Sequence, residues 1–135
     1  MFVPIGLASE DGEIEFHVPP IEGGHSFSLS AEPNAKQQGT IKCSVMRLTS
    51  LMKRFQHDHI DVLKMDIEGF EYDVLDDMIR SEVRPEWLLV EFHHGNYGIR
   101  RSRTRKSVSR LLEYGYNIYW VSDLGREYGF KCSRS

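Results

Sequence analysis

Two segments of the chain place acids directly after an apolar run, and one of them adds an imidazole. Residues 64–71 read Lys-Met-Asp-Ile-Glu-Gly-Phe-Glu, and residues 91–97 read Glu-Phe-His-His-Gly-Asn-Tyr. Because ligands of open α/β sheets bind outside the carboxyl ends of the strands, polar groups at these two ends are expected in one cleft if the strands are neighbours. The candidate catalytic residues are Asp66, Glu68, Glu91 and His93.

Carboxylates grouped with a histidine have two chemical uses. They act as a general base towards a hydroxyl, or they hold a divalent cation that makes the hydroxyl more acidic. The structural alternative is helix capping, which Glu68 or Glu71 could each perform alone. His93 and His94 alternate faces, so at most one is expected to enter the cleft. Metal-dependent hydrolysis by the same cluster is a further alternative, although no residue is assigned as a metal ligand.

A basic run crowds into residues 100–106, just before the last predicted helix. Such runs usually form a solvated face. The functional interpretation is an anion clamp for a phosphate, sulfate or acidic sugar at the mouth of the cleft. No aromatic stacking pattern accompanies the charges, so nucleic acid is not an expected partner. The clamp is assigned to Arg101, Arg103 and Arg105, within a run that also holds Arg100 and Lys106.

The hydropathy pattern predicts alternating strands and helices. Such alternation favours an α/β fold with a mostly parallel sheet, helices on its faces and right-handed crossovers. Lys64 falls inside an apolar run typical of a strand buried on both faces, where it needs an acidic partner. The predicted elements are strands at 1–7 and 13–18 (a hairpin or two neighbouring strands), a loop at 19–40 (a lid or disordered), a strand at 41–45, a helix at 48–57, a strand at 60–67, a helix at 71–80, a strand at 87–92, a helix at 104–114, and strands at 117–121 and 128–130.

Length and composition limit the classes of protein. The 135 residues are 40% hydrophobic and 27% charged, which predicts one globular domain over residues 1–135. A net charge of −3 provides no global field for nucleic acid or anionic membranes. Two cysteines are too few for a zinc ribbon or an iron–sulfur cluster. The sequence shows neither a membrane-spanning run nor a signal peptide, so a cytoplasmic location is expected.

Around residues 60–71, followed by Val74-Leu75, the chain resembles the FkbM-type family of S-adenosylmethionine-dependent methyltransferases. Weaker matches lie at residues 6–12, 45–48, 88–93 and 125–130. The resemblance implies a Rossmann-like class I methyltransferase fold with antiparallel closing strands. It also implies methyl transfer to a hydroxyl of a sugar or related small molecule, with Asp66 beside both cofactor and acceptor as the leading catalytic residue.

The family's glycine-rich turn and ribose-binding acid have no match here, since Gly23-Gly24 lies in a loop without a preceding buried strand. A fold that lacks these elements exposes an edge of what should be an interior strand. We therefore expect a truncated domain that is inactive alone, with a second copy or a partner chain covering the edge. The alternative function is a non-catalytic module that binds an acidic ligand.

Overall fold

The chain builds three helices and two separate β-sheets from the residues that the structure describes. The structure is a computed structural model, and it describes residues 2–17 and 39–133. No helix in these ranges is long and apolar enough to cross a membrane. In chain order the elements are β1 (Gly6–Leu7), β2 (Gly12–His17), β3 (Thr40–Met46), α1 (Leu48–Phe55), β4 (Val62–Met65), α2 (Glu71–Arg80), β5 (Trp87–Glu91), α3 (Arg101–Glu113), β6 (Tyr116–Val121) and β7 (Glu127–Cys132).

Both sheets are mixed, so the prediction of a mostly parallel sheet is wrong. The small sheet has the order β1-β3-β2, and the main sheet has the order β4-β5-β7-β6. Parallel pairing is confined to β1 with β3 and β4 with β5 among these strands, and the other pairs are antiparallel. A short turn joins β6 to β7, and so short a connection allows only antiparallel pairing. The predicted antiparallel closing strands are confirmed.

The amino-terminal hairpin prediction is wrong because β3 lies between β1 and β2. Asp11 does not serve as a simple turn residue. Its carboxylate accepts hydrogen bonds from the backbone N–H of Arg47 at 2.7 Å and from the Ser50 hydroxyl at 2.6 Å, and so caps α1 from a distance in sequence. The predicted loop at 19–40, including Gly23-Gly24, lies outside the described residues except for its last two positions.

Arg47 connects the small sheet to the helix layer of the main sheet. It follows β3 directly, and its guanidinium donates to both carboxylate oxygens of Asp77, on α2, at 3.0 and 2.7 Å. The same group donates to the Ser81 hydroxyl at 2.8 Å. Asp77 is almost completely buried and the Arg47 side chain is 36% exposed, so this bidentate pair lies where the interior meets the surface and holds the small sheet against α2.

The core lies on one face of the main sheet. Leu88 and Phe130, which are in register on β5 and β7, are completely buried, as are Leu75 of α2 and Leu111 of α3. These apolar side chains recur at helical spacing in α2 and α3 and at alternate positions in the strands, which is why one face of each element is buried.

The opposite face of the main sheet is exposed within the described residues. Val62 is 57% exposed, Leu89 38% and Trp120 52%. Lys64 is also exposed, so the prediction that its strand is buried on both faces is wrong. The reason is topological, because β4 is an edge strand and α2 and α3 cover only the other face. Lys64 does have its expected acidic partner, Asp66, at 3.8 Å, but at the surface.

Candidate active site

The two polar strand ends of the sequence meet at one edge of the main sheet. β4 and β5 are parallel neighbours, with Met65 in register with Val90. The next residues along each chain segment, Asp66 and Glu91, therefore leave the sheet side by side. Together with His93 they offer three ligand atoms that lie within 4.8 Å of one another.

His93 is the centre of this cluster. Its side chain is 8% exposed, and its Nε2 lies 3.7 Å from Asp66 Oδ1 and 3.4 Å from Glu68 Oε2. On the other side of the ring, Nδ1 lies 2.8 Å from Oε1 of Glu71. The structure thus brings Asp66, Glu68, Glu91 and His93 together, as the sequence predicts.

Glu71 is the site residue that the sequence assigned only a capping role. Its side chain is completely inaccessible, and its carboxylate accepts hydrogen bonds from the backbone N–H groups of Ile67 at 3.0 Å and Gly69 at 3.0 and 3.2 Å. It therefore holds the turn between β4 and α2 in addition to His93. Gly69 has a φ of 103°, which side-chain-bearing residues rarely adopt. The sequence pattern that indicates this arrangement is Glu-Gly-Phe-Glu at residues 68–71, in which a glycine and one further residue separate two acids.

The environment of His93 favours its charged form. The hydrogen bond to Glu71 raises the pKa of His93 above its ordinary value, against the opposing effect of burial, and the nearby carboxylates of Glu68 and Glu91 act in the same direction as Glu71. An imidazolium beside several carboxylates is the arrangement that Coulomb attraction favours.

His94 turns away from the cluster. Its Nδ1 lies 3.0 Å from the Thr104 hydroxyl of α3, which also lies 2.9 Å from the Tyr72 hydroxyl of α2. Burial lowers the pKa of His94, and Arg101 and Arg126 lower it further. The prediction that at most one of His93 and His94 enters the cleft is confirmed.

Tyr97 closes one side of the cluster and was not predicted from the sequence. Its hydroxyl donates to Glu68 Oε2 at 2.6 Å. Beside this pair lies an open cavity of about 180 Å³, to which Phe70 and Arg103 also contribute. Nothing in the sequence identifies Tyr97 as a site residue, because its contact with Glu68 depends on how the loop after β5 brings it back towards the end of β4.

The predicted anion clamp is brought to the cavity only in part. α3 begins at Arg101, so the basic residues occupy its first turns and do not precede it. Arg103 lines the cavity, but its guanidinium pairs with Asp73 at 2.6 Å and lies 4.7 Å from the centre of the Tyr72 ring. Arg101 and Arg105 are exposed on the same helix.

Comparison with known proteins agrees with the family resemblance of the sequence. The family model described as a methyltransferase FkbM domain matches residues 1–131. Among curated proteins, the hexuronic acid methyltransferase AglP of Haloferax volcanii is 26% identical over 129 residues, which cover 96% of this chain and 48% of the relative. The chain therefore spans about half the length of that relative. No solved structure matches the chain.

Proposed function

Because the chain belongs to the FkbM methyltransferase domain family, we propose that it takes part in methyl transfer from S-adenosylmethionine to a hydroxyl group of an acidic sugar. The observation that carries this proposal is the cluster of Asp66, Glu68, Glu91 and His93 at the carboxyl ends of two parallel strands. Attack by a hydroxyl oxygen requires that its proton be removed, and carboxylates at this position are suited to accept it.

Asp66 is the leading proton acceptor in this proposal. Its side chain is 42% exposed, so a substrate can reach it, whereas the His93 side chain behind it is 8% exposed. Glu68 also faces the cavity and is held by the Tyr97 hydroxyl. Buried Glu71 keeps His93 in place and does not reach the acceptor.

An acidic acceptor fits the charges around the site. The relative's name gives hexuronic acid as its substrate. Arg103 lines the cavity, and the first turns of the same helix, α3, present Arg101 and Arg105 to solvent. Arginine pairs with carboxylates in a two-pronged geometry, which suits a uronic acid. The acceptor hydroxyl would then face the carboxylate cluster while the sugar carboxylate faces α3.

S-adenosylmethionine, the donor that the family implies, fits the described residues only in part. Asp66, at the end of β4, offers one polar group that this donor could contact. The cavities next to this position have volumes of about 180 and 150 Å³, below the roughly 300–1,000 Å³ typical of ligand pockets. We infer that the donor needs residues beyond those described, from the same polypeptide or from a partner chain.

The exposed edge of β4 supports the same inference. A strand added beside β4 would continue the main sheet, and helices packed on the exposed face of Val62, Leu89 and Trp120 would cover it. The order β4-β5-β7-β6 would then be one half of a Rossmann-like methyltransferase fold. A further part of the same polypeptide or a separate donor-binding chain could supply the other half.

Calorimetry and a chimera test the proposal. Titration of S-adenosylmethionine into the 135-residue chain should give no saturable binding. A chimera with the part of the relative that lies outside the matched region should transfer a labelled methyl group to a hexuronic acid, and Asp66→Asn should reduce that rate by about 10²-fold or more. The matched control is Glu113→Gln, an exposed carboxylate on α3. A donor-binding chimera that does not methylate the sugar, or one unaffected by Asp66→Asn, would contradict the proposal.

A second candidate function is a non-catalytic module for acidic ligands. The exposed Arg101 and Arg105 favour it, because they remain available on α3 while Arg103 is held by Asp73. In that case the chain alone should bind a hexuronic acid oligosaccharide, and the double variant Arg101→Glu, Arg105→Glu should lose the binding. Unchanged binding in the double variant would reject this candidate.

A further inference from the structure

Asp66, Glu91 and His93 form a group of donor atoms suited to a metal ion. One donor atom of each residue lies within 4.8 Å of the other two. Donor atoms bound to one divalent ion at roughly 2.1 Å lie roughly 3.0 to 4.2 Å apart, depending on whether they are adjacent or opposite. The 3.7 Å between His93 Nε2 and Asp66 Oδ1 falls inside this interval. The third donor, a carboxylate oxygen of Glu91, lies within 4.8 Å of the other two.

The orientation of His93 is an independent indication of a ligand. Its side chain is more than nine-tenths buried, and the carboxylate of Glu71 lies 2.8 Å from Nδ1. With a metal bound, the proton on Nδ1 would donate to Glu71, and Nε2, which carries a second proton in the charged form, would release that proton and face Asp66 with its lone pair. Metal-binding histidines are typically held in this way, with a carboxylate on the nitrogen that does not bind the ion. Glu71 is itself fixed by the backbone N–H groups of Ile67 and Gly69, so the ring is rigidly aimed.

The charges around His93 suit a cation, which would take the place of the imidazole proton that the same carboxylates favour. Four carboxylates surround the ring, and the distances from Nε2 to Asp66 and Glu68 exceed the roughly 2.7–2.9 Å of a charge-assisted hydrogen bond. Lys64 reaches Asp66 at 3.8 Å, but its side chain is 68% exposed and extends towards solvent. The space between the carboxylates and Nε2 is where a cation would be held most strongly. The four carboxylates are those of Asp66, Glu68, Glu71 and Glu91.

We propose that Asp66, Glu91 and His93 bind a divalent metal ion, and that Mn²⁺ matches this set of two carboxylates and one imidazole. Only the role of the ion rests on the function proposed above. An ion at this position would polarise the acceptor hydroxyl, which is a Lewis-acid contribution. In that case Asp66 acts as a ligand of the ion instead of as the proton acceptor named above, and the carboxylate of Glu68, which also accepts a hydrogen bond from Tyr97, would take the proton.

Binding of Mn²⁺ can be measured on the chain itself, without donor or acceptor. Titration followed by electron paramagnetic resonance should show one saturable site, and the bound ion should broaden the imidazole signals of His93 in NMR spectra. Asp66→Asn and Glu91→Gln should each weaken binding by at least about tenfold. Both side chains lie at least partly at the surface, so these variants should fold, which circular dichroism checks. The control, Glu113→Gln on α3, should bind like the unmodified chain.

Absence of saturable binding would overturn the metal site, as would binding that Asp66→Asn and Glu91→Gln both leave unchanged. Neither result depends on methyl transfer. If Mn²⁺ binds as expected and the chimera still fails to methylate a hexuronic acid, the metal site stands and the proposed function falls. If the chimera is equally active with and without Mn²⁺ and no ion binds, the metal site falls and the methyltransferase function stands.

Discussion

Nδ1 of His93 lies 2.8 Å from Oε1 of Glu71, and the two side chains are among the least accessible polar groups of the described residues. This pair joins the end of β5 to the first turn of α2. It also fixes which nitrogen of the imidazole faces the carboxylates of Asp66 and Glu68. The direction in which His93 points is therefore set by a residue that does not itself reach the cleft.

The first prediction concerns that direction. At a pH where His93 is neutral, its proton should reside on Nδ1, because the Glu71 carboxylate can only accept a hydrogen bond. Long-range ¹⁵N NMR of the metal-free chain should show this tautomer. In Glu71→Gln the amide can also donate, so the tautomer preference should weaken and the pKa of His93 should fall towards its ordinary value. An unchanged tautomer and pKa in Glu71→Gln would mean that Glu71 does not orient the ring.

The second prediction concerns the ion pair of buried Asp77 with partly exposed Arg47. Burial opposes ionisation of Asp77, but the hydrogen bonds from Arg47 and Arg80 outweigh it and lower its pKa below the ordinary value of 3.8. Because the pKa is lower in the folded state, ionised Asp77 contributes stability at pH values above its pKa in the unfolded chain. That contribution is lost as the pH falls through its pKa in the folded protein. Because the Arg47 side chain is 36% exposed, solvent screens part of the attraction, and Asp77→Asn should lower the free energy of unfolding at pH 7 by about 2 kcal/mol.

Below pH 3.8 the difference in the free energy of unfolding between Asp77→Asn and the unmodified chain should shrink. Urea denaturation at several pH values measures both effects. The control is Asp76→Asn, since Asp76 is the neighbouring acid, pairs with Arg110 and has a side chain that is 47% exposed. It should change stability by less than about 1 kcal/mol. A pH-independent loss in Asp77→Asn would contradict the assignment.

The third prediction concerns the turn at Gly69. Its φ of 103° is strained for any other residue, and an added Cβ would lie 3.2 Å from Ile99 Cδ1 and 3.4 Å from the Tyr97 ring. Gly69→Ala should therefore cost about 2 kcal/mol of stability. Gly98→Ala is the matched control, because its φ is 71° and no atom lies within 4 Å of its added Cβ. Thermal denaturation should show the larger loss at Gly69, and equal losses would contradict the prediction.

The fourth prediction compares the two faces of the main sheet. Leu88 is completely buried and Leu89 is 38% exposed, although they are consecutive on β5. Leu88→Ala should cost about 3 kcal/mol, the usual result for a core leucine. Leu89→Ala should cost less than about 1 kcal/mol if its face is uncovered in solution. A loss at Leu89 as large as that at Leu88 would show that another molecule or segment buries this face, and concentration dependence would identify a second copy.

The sequence predicted the main-sheet elements and the cluster well because both depend on local patterns. α2 was expected at 71–80 and is found there, since its apolar spacing and its acids in the first turn agree. The cluster followed from polar residues at the ends of two consecutive strands that happen to be neighbours. The local sequence of Glu71 indicates that it holds the turn, but its contact with His93 and the contact of Tyr97 with Glu68 are made across the fold and carry no local signal.

Strand order and burial could not be read in the same way. The apolar run before Asp66 is typical of a strand covered on both faces, yet Val62 and Lys64 are exposed because no described helix packs on that side. The position of β3 between β1 and β2 is likewise a long-range property, set by pairing and not by the period of the residues. Such features depend on what covers an element, which its own sequence does not specify.

Arg47 joins the small sheet to the main sheet and its helices, and these two parts bury very different amounts of apolar surface. β3 buries only Val45 completely, whereas β5 carries Leu88 and Val90 in the shared core. The small sheet should therefore open as its own cooperative unit once the bond between Arg47 and Asp77 breaks. Amide protons of β3 should then exchange with solvent while those of β5 remain protected. Between these two strands, a protease in a cell would therefore gain access to β3 before β5.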